Sequence, residues 1–424
     1  MDLGILLIAC FVTLLLLRVP VAGALGASAV LVIAMGGLGL QVVSFNFQAG
    51  IAKFPLLAIP FFILAGTVMD RAGIAERIVR LLLAAVGGWR AGAAVATVLA
   101  GMFWGAVSGS GPATVAALGG ILIPMMVRQG YAPGFAAGLV AASAELSIVI
   151  PPSIALIVYA TLATTSVAQQ FWAGILPGIL MGGFLGLAAI LVVRARGWGR
   201  AHDHGQHHPL GRLVLEAAPG LLTPILILGG IYGGVFTPTE AAAVGVFWGL
   251  FVGFFVYRTL RPAHLVPLLV EAGVSSAVVM AIVAWAGIFA WAADTVGLVG
   301  RVSQSLLEWS GNPLGLMLLL NVFWLVLGML LDAVSIYYLT LPILLPVLAH
   351  MGWDPVWMGI VMTVNMAIGQ ITPPVAVNLF VSARISGLPI ERIWREIWPF
   401  VLASVLGLVL LAYWPFLRPL LWGR

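Results

Sequence analysis

The stretch Phe103–Gly120, FWGAVSGSGPATVAALGG, sets Ser108-Gly109-Ser110-Gly111-Pro112 inside an otherwise apolar run. Hydroxyls and freed backbone carbonyls are hard oxygen ligands, suited to a small cation such as Na⁺. Glycine permits a tight reversal, and Pro112 fits the first turn of a returning helix, where its missing N–H is no loss. Three more stretches repeat the device. One turns at Leu331-Asp332-Ala333-Val334-Ser335. The second, AASAELSIVIPPSIALIVYA, breaks at Pro151-Pro152 and offers Ser147 and Ser153. The third, TVNMAIGQITPPVAVNLF, breaks at Pro373-Pro374 and offers Asn365, Gly369, Gln370, Thr372 and Asn378. Two cation sites are expected. Ser108, Gly109, Ser110, Ser147 and Pro151 would form one, and Asp332, Ser335, Gly369 and Thr372 the other. An anionic ligand is expected between them, near Gly111, Pro112, Thr114, Ser153, Ala333, Asn365, Pro374 and Asn378. Half-helix N-termini at Pro112, Ser153, Ala333 and Pro374 carry partial positive charge, and no Lys or Arg falls at these breaks.

These residues need an unusual setting. Of 424 residues, 62% are hydrophobic and 8% charged, with a mean hydropathy of +1.15. Soluble domains carry about 25% charge, so the chain is expected to be an all-α polytopic membrane protein lying in the lipid bilayer. Non-helical backbone at membrane depth is tolerated only where it is buried in protein or lines a wet cavity. The breaks therefore mark such a cavity. The pI of 9.8 reflects Arg in membrane-flanking loops and not a nucleic-acid partner. A single cysteine, Cys10, excludes an internal disulfide. The N-terminal apolar run lacks a preceding basic residue and a following cleavage site, and reads as a first span, not a signal peptide.

Apolar runs predict ten crossings, near 3–17, 20–40, 54–70, 134–165, 173–194, 213–233, 237–257, 271–293, 355–386 and 397–417. Segments 91–128 and 313–350 are interrupted midway and read as re-entrant hairpins. With the N-terminus outside, this arrangement puts fifteen of the 19 Lys and Arg inside and four outside. Making either hairpin a crossing would weaken that bias. The chain also repeats at an offset of 222. Pro124 falls on Pro346, Gly130 on Gly352, Pro133 on Pro355, Pro151-Pro152 on Pro373-Pro374, Trp172 on Trp394 and Pro177 on Pro399. Each copy, 1–194 and 213–424, holds five crossings and one hairpin. Five is odd, so the copies are inverted, an architecture of secondary transporters. Between them, 195–212 reads as a cytoplasmic linker. Its His202, His204, His207 and His208 fit a solvated basic loop better than a metal site, because no Cys or second His cluster completes a ligand set.

Other intramembrane acids are weighed singly. Asp332 is the foremost functional carboxylate. For Glu145 a proton or ion role and an ion pair with an Arg stand open. Glu240, just after Pro238, reads as a helix cap, and Glu271 and Asp294 as interfacial. Trp89, Trp172, Trp309, Trp394 and Trp398 read as interface anchors. There is no G-x-x-x-x-G-K-[ST] loop, Ser-His-Asp arrangement or H-E-x-x-H sequence. The chain is therefore expected to be no enzyme, to need no cofactor, and to draw its energy from an ion gradient.

In order along the chain these motifs are specific. They are RVPVAGALG at 18–26, GAVSGSGPAT at 105–114, IPPS at 150–153, GVFTPTEAAAV at 234–244, DAVS at 332–335 and QITPP at 370–374. The chain resembles the large permease subunit of TRAP (tripartite ATP-independent periplasmic) transporters, within the wider ion-transporter superfamily. That resemblance implies an elevator mechanism, in which hairpins and broken helices slide against a scaffold. It further implies Na⁺ coupling, uptake of a small organic anion such as a carboxylate, and residence in the bacterial inner membrane. Two partners are implied, a small four-helix membrane subunit and a periplasmic substrate-binding protein. A stand-alone dicarboxylate symporter or antiporter of the same superfamily is the alternative. A non-transporting receptor would not need polar tips at the midplane.

Overall fold

Residues 2–199, 209–309 and 311–422 are described by a computed structural model, with side chains to 416, and every regular element in them is helical. His202, His204, His207 and His208 lie outside the described residues. The first half runs α1 (Leu3–Leu16), α2 (Val21–Met35), α3 (Gln41–Ile51), α4 (Ala58–Arg71), α5 (Ile74–Val86), α6 (Gly92–Ser108), α7 (Gly111–Arg128), α8 (Pro133–Glu145), α9 (Ile154–Leu162) and α10 (Val167–Arg196). The second runs α11 (Leu210–Tyr232), α12 (Pro238–Phe251), α13 (Leu265–Thr295), α14 (Leu298–Leu307), α15 (Pro313–Gly328), α16 (Ala333–Met351), α17 (Pro355–Gly369), α18 (Val377–Ser386) and α19 (Ile390–Trp422). Eight helical segments among the described residues are long and apolar enough to cross a membrane. The chain is thus a multi-pass membrane protein.

The offset of 222 reappears in three dimensions as helix boundaries. It carries 92–108 to 314–330, against the observed Pro313–Gly328, and 111–128 to 333–350, against Ala333–Met351. It also carries 74–86 to 296–308, where α14 lies. Both interrupted segments are helical hairpins, α6–α7 and α15–α16. Both long spans are broken. The first comprises α8, a 3-10 turn at Leu146–Ile148 and α9. The second comprises α17, a non-helical stretch over 370–376 and α18. The peptide bonds Pro151-Pro152 and Pro373-Pro374 are both cis.

The boundaries differ from expectation in places. Helices α3 and α5 fall in stretches that hydropathy leaves as loop. In α5 the apolar residues recur on one face, and Glu76, Arg77 and Arg80 occupy the other. Such a helix is periodic without being hydrophobic on average. Helix α10 starts at Val167 and not near 173, because Ser166 accepts from the Gln169 N–H and caps it there. At α12, Thr237 and Glu240 form a reciprocal capping box, so Glu240 is a cap.

Small residues let the broken helices sit at the centre. Helix α8 is buried along nearly its whole length among α6, α7, α18 and α19. A Cβ on Gly105 would stand 2.8 Å from the Ser147 Cα, and one on Gly369 only 2.3 Å from the Gly328 carbonyl carbon. Both contacts are with backbone atoms, and neither can be relieved by a rotamer change. Gly369→Ala should therefore force α15 and α17 apart, and overpacking of this kind costs about 1–3 kcal/mol. The variant is expected to unfold at lower temperature in detergent than the parent. An unchanged unfolding temperature would mean that the helices have slack at this crossing.

Candidate functional site

The first hairpin tip and the first break are joined by a relay of buried hydroxyls. Ser147 Oγ donates to Thr114 Oγ1 (2.8 Å), and Thr114 Oγ1 pairs with Ser108 Oγ (3.1 Å). Ser108 Oγ is also 3.1 Å from the Ser110 carbonyl and accepts from the Ser110 N–H (3.2 Å). Ser108, Thr114 and Ser147 are all buried. Gly109 makes the turn with φ +62°, where a side chain would be strained. A Cβ there would also meet the Pro152 carbonyl oxygen at 2.8 Å and the Ser153 Cα at 3.4 Å. The tip thus rests directly on the Pro151-Pro152 break. Thr114, expected beside the anion, is hydrogen-bonded to Ser108 and Ser147, two residues expected at the first cation site.

The second tip meets its own break through backbone. Gly328 packs on Gly369, and the Val375 N–H donates to the Met329 carbonyl (3.0 Å). Asp332 caps α16. Its Oδ1 accepts from the Ser335 N–H (3.0 Å) and its Oδ2 from Ser335 Oγ (2.7 Å). No side-chain hydrogen bond joins Asp332 to Thr372, whose hydroxyl donates to the Ile368 carbonyl (2.7 Å). Asp332–Ser335 and Gly369–Thr372, expected to share a cation site, are linked here by the backbone contacts of Gly328 and Met329 and by no side-chain hydrogen bond between Asp332 and Thr372.

The four half-helix starts are also unequal. Ser153 caps α9 by accepting from the Leu156 N–H, and its own hydroxyl donates to the Ile148 carbonyl (2.6 Å). With Asp332 capping α16, two starts are occupied by their own side chains. Helix α18 begins at Val377, three residues beyond Pro374, because the Asn378 N–H donates to the Gln370 carbonyl (3.0 Å) and closes the intervening turn. Only α7 and α18 start without a side-chain cap. They lie together. A Cβ on Gly111 would be 2.2 Å from Gln370 Oε1 and 2.7 Å from Asn378 Oδ1. Neither oxygen has a hydrogen-bond partner. Asn365 Nδ2 donates to Asn321 Oδ1 and to the Val361 carbonyl, both at 2.8 Å, while Asn365 Oδ1 is also unpartnered. Asn321 was not anticipated; a lone Asn inside the apolar run 313–328 was its signal.

A cavity of about 410 Å³ opens beside the first tip. Ser108, Ser110, Pro112 and Ala113 form one wall; Thr67 and Asp70 of α4, with Glu271 and Ser275 of α13, form the others. No Lys or Arg lines it. Glu271 is paired with Arg71 at 3.5 Å. The uncapped α7 N-terminus brings partial positive charge to the tip wall. Glu145 lies apart, fully buried. It accepts a hydrogen bond from Ser404 through Oε1 and leaves Oε2 unpartnered, and among the described residues no Arg is paired to it. Among the described residues no cluster of three His, Cys, Asp or Glu could hold a metal ion.

Comparison with known proteins gives the family. The family described as "Tripartite ATP-independent periplasmic transporter, DctM component" matches residues 8–417. The C4-dicarboxylate TRAP transporter large permease protein DctM of Pseudomonas aeruginosa is 40% identical over 362 residues, 85% of this chain and 84% of that protein. The isethionate TRAP transporter permease protein DctMQ of Oleidesulfovibrio alaskensis is 38% identical over 96% of this chain, which spans only 64% of that protein's length. In fold the chain is similar to the YdaH transporter of Alcanivorax borkumensis, with a TM-score of 0.65 over 99% of both chains at 19% identity. The chain therefore belongs to the TRAP transporter family, as a large permease of the DctM type.

Proposed function

We propose that this permease imports a small organic anion, driven by Na⁺ and working as an elevator. The hairpins α6–α7 and α15–α16, with the broken helices, form the moving part. Helices α1–α4 and α11–α13 form the scaffold. The two copies are inverted in the bacterial inner membrane, with 195–212 on the cytoplasmic side. A small four-helix membrane subunit and a periplasmic binding protein complete the transporter. The observation that carries this reading is the hydroxyl relay Ser108–Thr114–Ser147 beside the uncapped α7 start, at a cavity without Lys or Arg. Such a site can hold an anion only with help from bound cations and helix ends, so Na⁺ and substrate should bind cooperatively. The relatives' names add support, since isethionate and C4-dicarboxylates are both small anions.

Reconstitution in proteoliposomes with both partner proteins tests the reading. Uptake should require an inward Na⁺ gradient. Equal uptake with K⁺ or choline in place of Na⁺, at fixed membrane potential, would reject Na⁺ coupling and turn attention to a proton carried by Glu145. Equal uptake without the binding protein would instead favour a stand-alone symporter.

A further inference from the structure

We propose that the cleft between α5 and α11 binds the phosphodiester group of an anionic membrane lipid. The cleft is a cavity of about 510 Å³ whose lining includes no residue of either hairpin tip. It is lined by Arg77 and Arg80 from α5, Arg212, Leu215 and Glu216 from α11, and Val256 and Tyr257 where α12 ends in a π-helical turn. Three guanidinium groups from two helices face one space. Arg80 pairs with Glu76, and Arg212 with Glu216 at 3.0 Å. Among the described residues Arg77 has no carboxylate partner. Its guanidinium carbon sits 3.7 Å from the centre of the Tyr257 ring, and Nη1 donates to the Gly73 carbonyl (2.8 Å). Tyr257 is itself fixed, since its hydroxyl donates to the Glu216 carbonyl.

Among the described residues the balance is one uncompensated positive charge, three Arg against two Glu, held in place by stacking and a backbone bond. A phosphodiester carries one negative charge, and guanidinium is the side chain that best matches its oxygens. The rim favours a lipid over a free anion. Leu215 is 76% exposed, Val256 47% and Phe255 69%. These apolar side chains are exposed beside the arginines, so acyl chains can run along them while the headgroup enters the cleft. Basic pockets between membrane helices recognise anionic headgroups in this way. In the orientation proposed above, the cleft opens to the cytoplasmic leaflet. Helix α5 leads directly into the first hairpin, so a lipid here would tie that hairpin's leading arm to α11.

The test compares the full-length protein in discs of phosphatidylcholine alone, in discs that also contain phosphatidylglycerol, and in phosphatidylcholine discs with inorganic phosphate added. Thermal unfolding and lipid retention in native mass spectrometry are read. Phosphatidylglycerol should raise the unfolding temperature and be retained, and phosphate should do neither. The triple variant Arg77→Gln, Arg80→Gln, Arg212→Gln should lose apparent affinity for phosphatidylglycerol by at least about tenfold, and Glu216→Gln should gain it by about fivefold. Equal stabilisation by phosphatidylcholine and phosphatidylglycerol would overturn the proposal, as would a triple variant that retains phosphatidylglycerol like the parent. If that variant does not fold, Glu216→Gln decides: no gain in affinity overturns the site. Stabilisation by inorganic phosphate equal to that by phosphatidylglycerol would overturn the lipid source and leave a free-anion site.

Discussion

A valine at Gly111 should reduce uptake by about a hundredfold or more while leaving the protein folded and in the membrane. Gly111 opens α7 where the first tip meets the second break. Its Cβ would stand 2.2 Å from Gln370 Oε1 and 2.7–2.9 Å from both amide atoms of Asn378. These are side-chain atoms, so the helices need not separate as they must at Gly369. Gln370 can swing away. Asn378 cannot easily follow, because its Nδ2 donates to the Ala141 carbonyl (3.3 Å) and its backbone N–H to the Gln370 carbonyl. The tip itself must therefore shift. Binding constellations tolerate displacements of only about 0.5 Å, so the α7 start and the Ser108–Thr114–Ser147 relay would both lose their alignment. Gly120→Val is the control: it lies on the same helix, and a Cβ there meets nothing within 4 Å. Uptake is compared at equal reconstituted amounts, with unfolding temperatures measured alongside. If both variants transport like the parent, contact between the first tip and the second break is incidental.

The polar breaks were readable because hydroxyls, glycines and paired prolines stand out in so apolar a chain, and because the offset of 222 shows each twice. That logic places Ser108 and Ser147 in one neighbourhood. It could not decide which way Thr114 points, since a helical side chain three residues into α7 can face either the break or the cavity. It also treated the two tips as equivalent. The structure makes them unequal: Ser110 caps nothing at α7, whereas its repeat mate Asp332 caps α16. The start of α18 was misplaced because Pro374 suggests a first helical turn, while the hydrogen bond from Asn378 to the Gln370 carbonyl delays helix until Val377. Helix α5 was missed because its signal is periodicity and not mean hydropathy. The Glu145–Ser404 contact spans 259 residues. Its repeat mates are Ala367 and Gly182, so neither local pattern nor internal symmetry could reveal it.

Asp332→Asn should raise the Na⁺ concentration for half-maximal uptake by about tenfold to a hundredfold while leaving the unfolding temperature unchanged. The two roles open to this carboxylate predict different outcomes for the same substitution. As a cap, Asp332 satisfies the Ser335 N–H and hydroxyl at the start of α16. Asn caps about as well as Asp, so a pure cap would tolerate the change in both stability and transport. As a cation ligand, Asp332 supplies charge that Asn lacks. Losing a hydrogen bond or contact to a charged group costs on the order of 1.5–3 kcal/mol, which is tenfold to a hundredfold in affinity. Asp332→Ala removes cap and charge together, and should add a loss of about 1 kcal/mol of stability to the Na⁺ defect. Thr114→Val supplies the matching test at the first tip. It deletes the oxygen that bonds both Ser147 and Ser108, and a cation held there should likewise need more Na⁺. Na⁺ titrations of uptake at fixed membrane potential separate the cases. Should Asp332→Asn titrate like the parent while Thr114→Val does not, Asp332 is a cap alone. The second cation would then have to rely on the backbone oxygens where Gly328 and Met329 meet Gly369 and Val375.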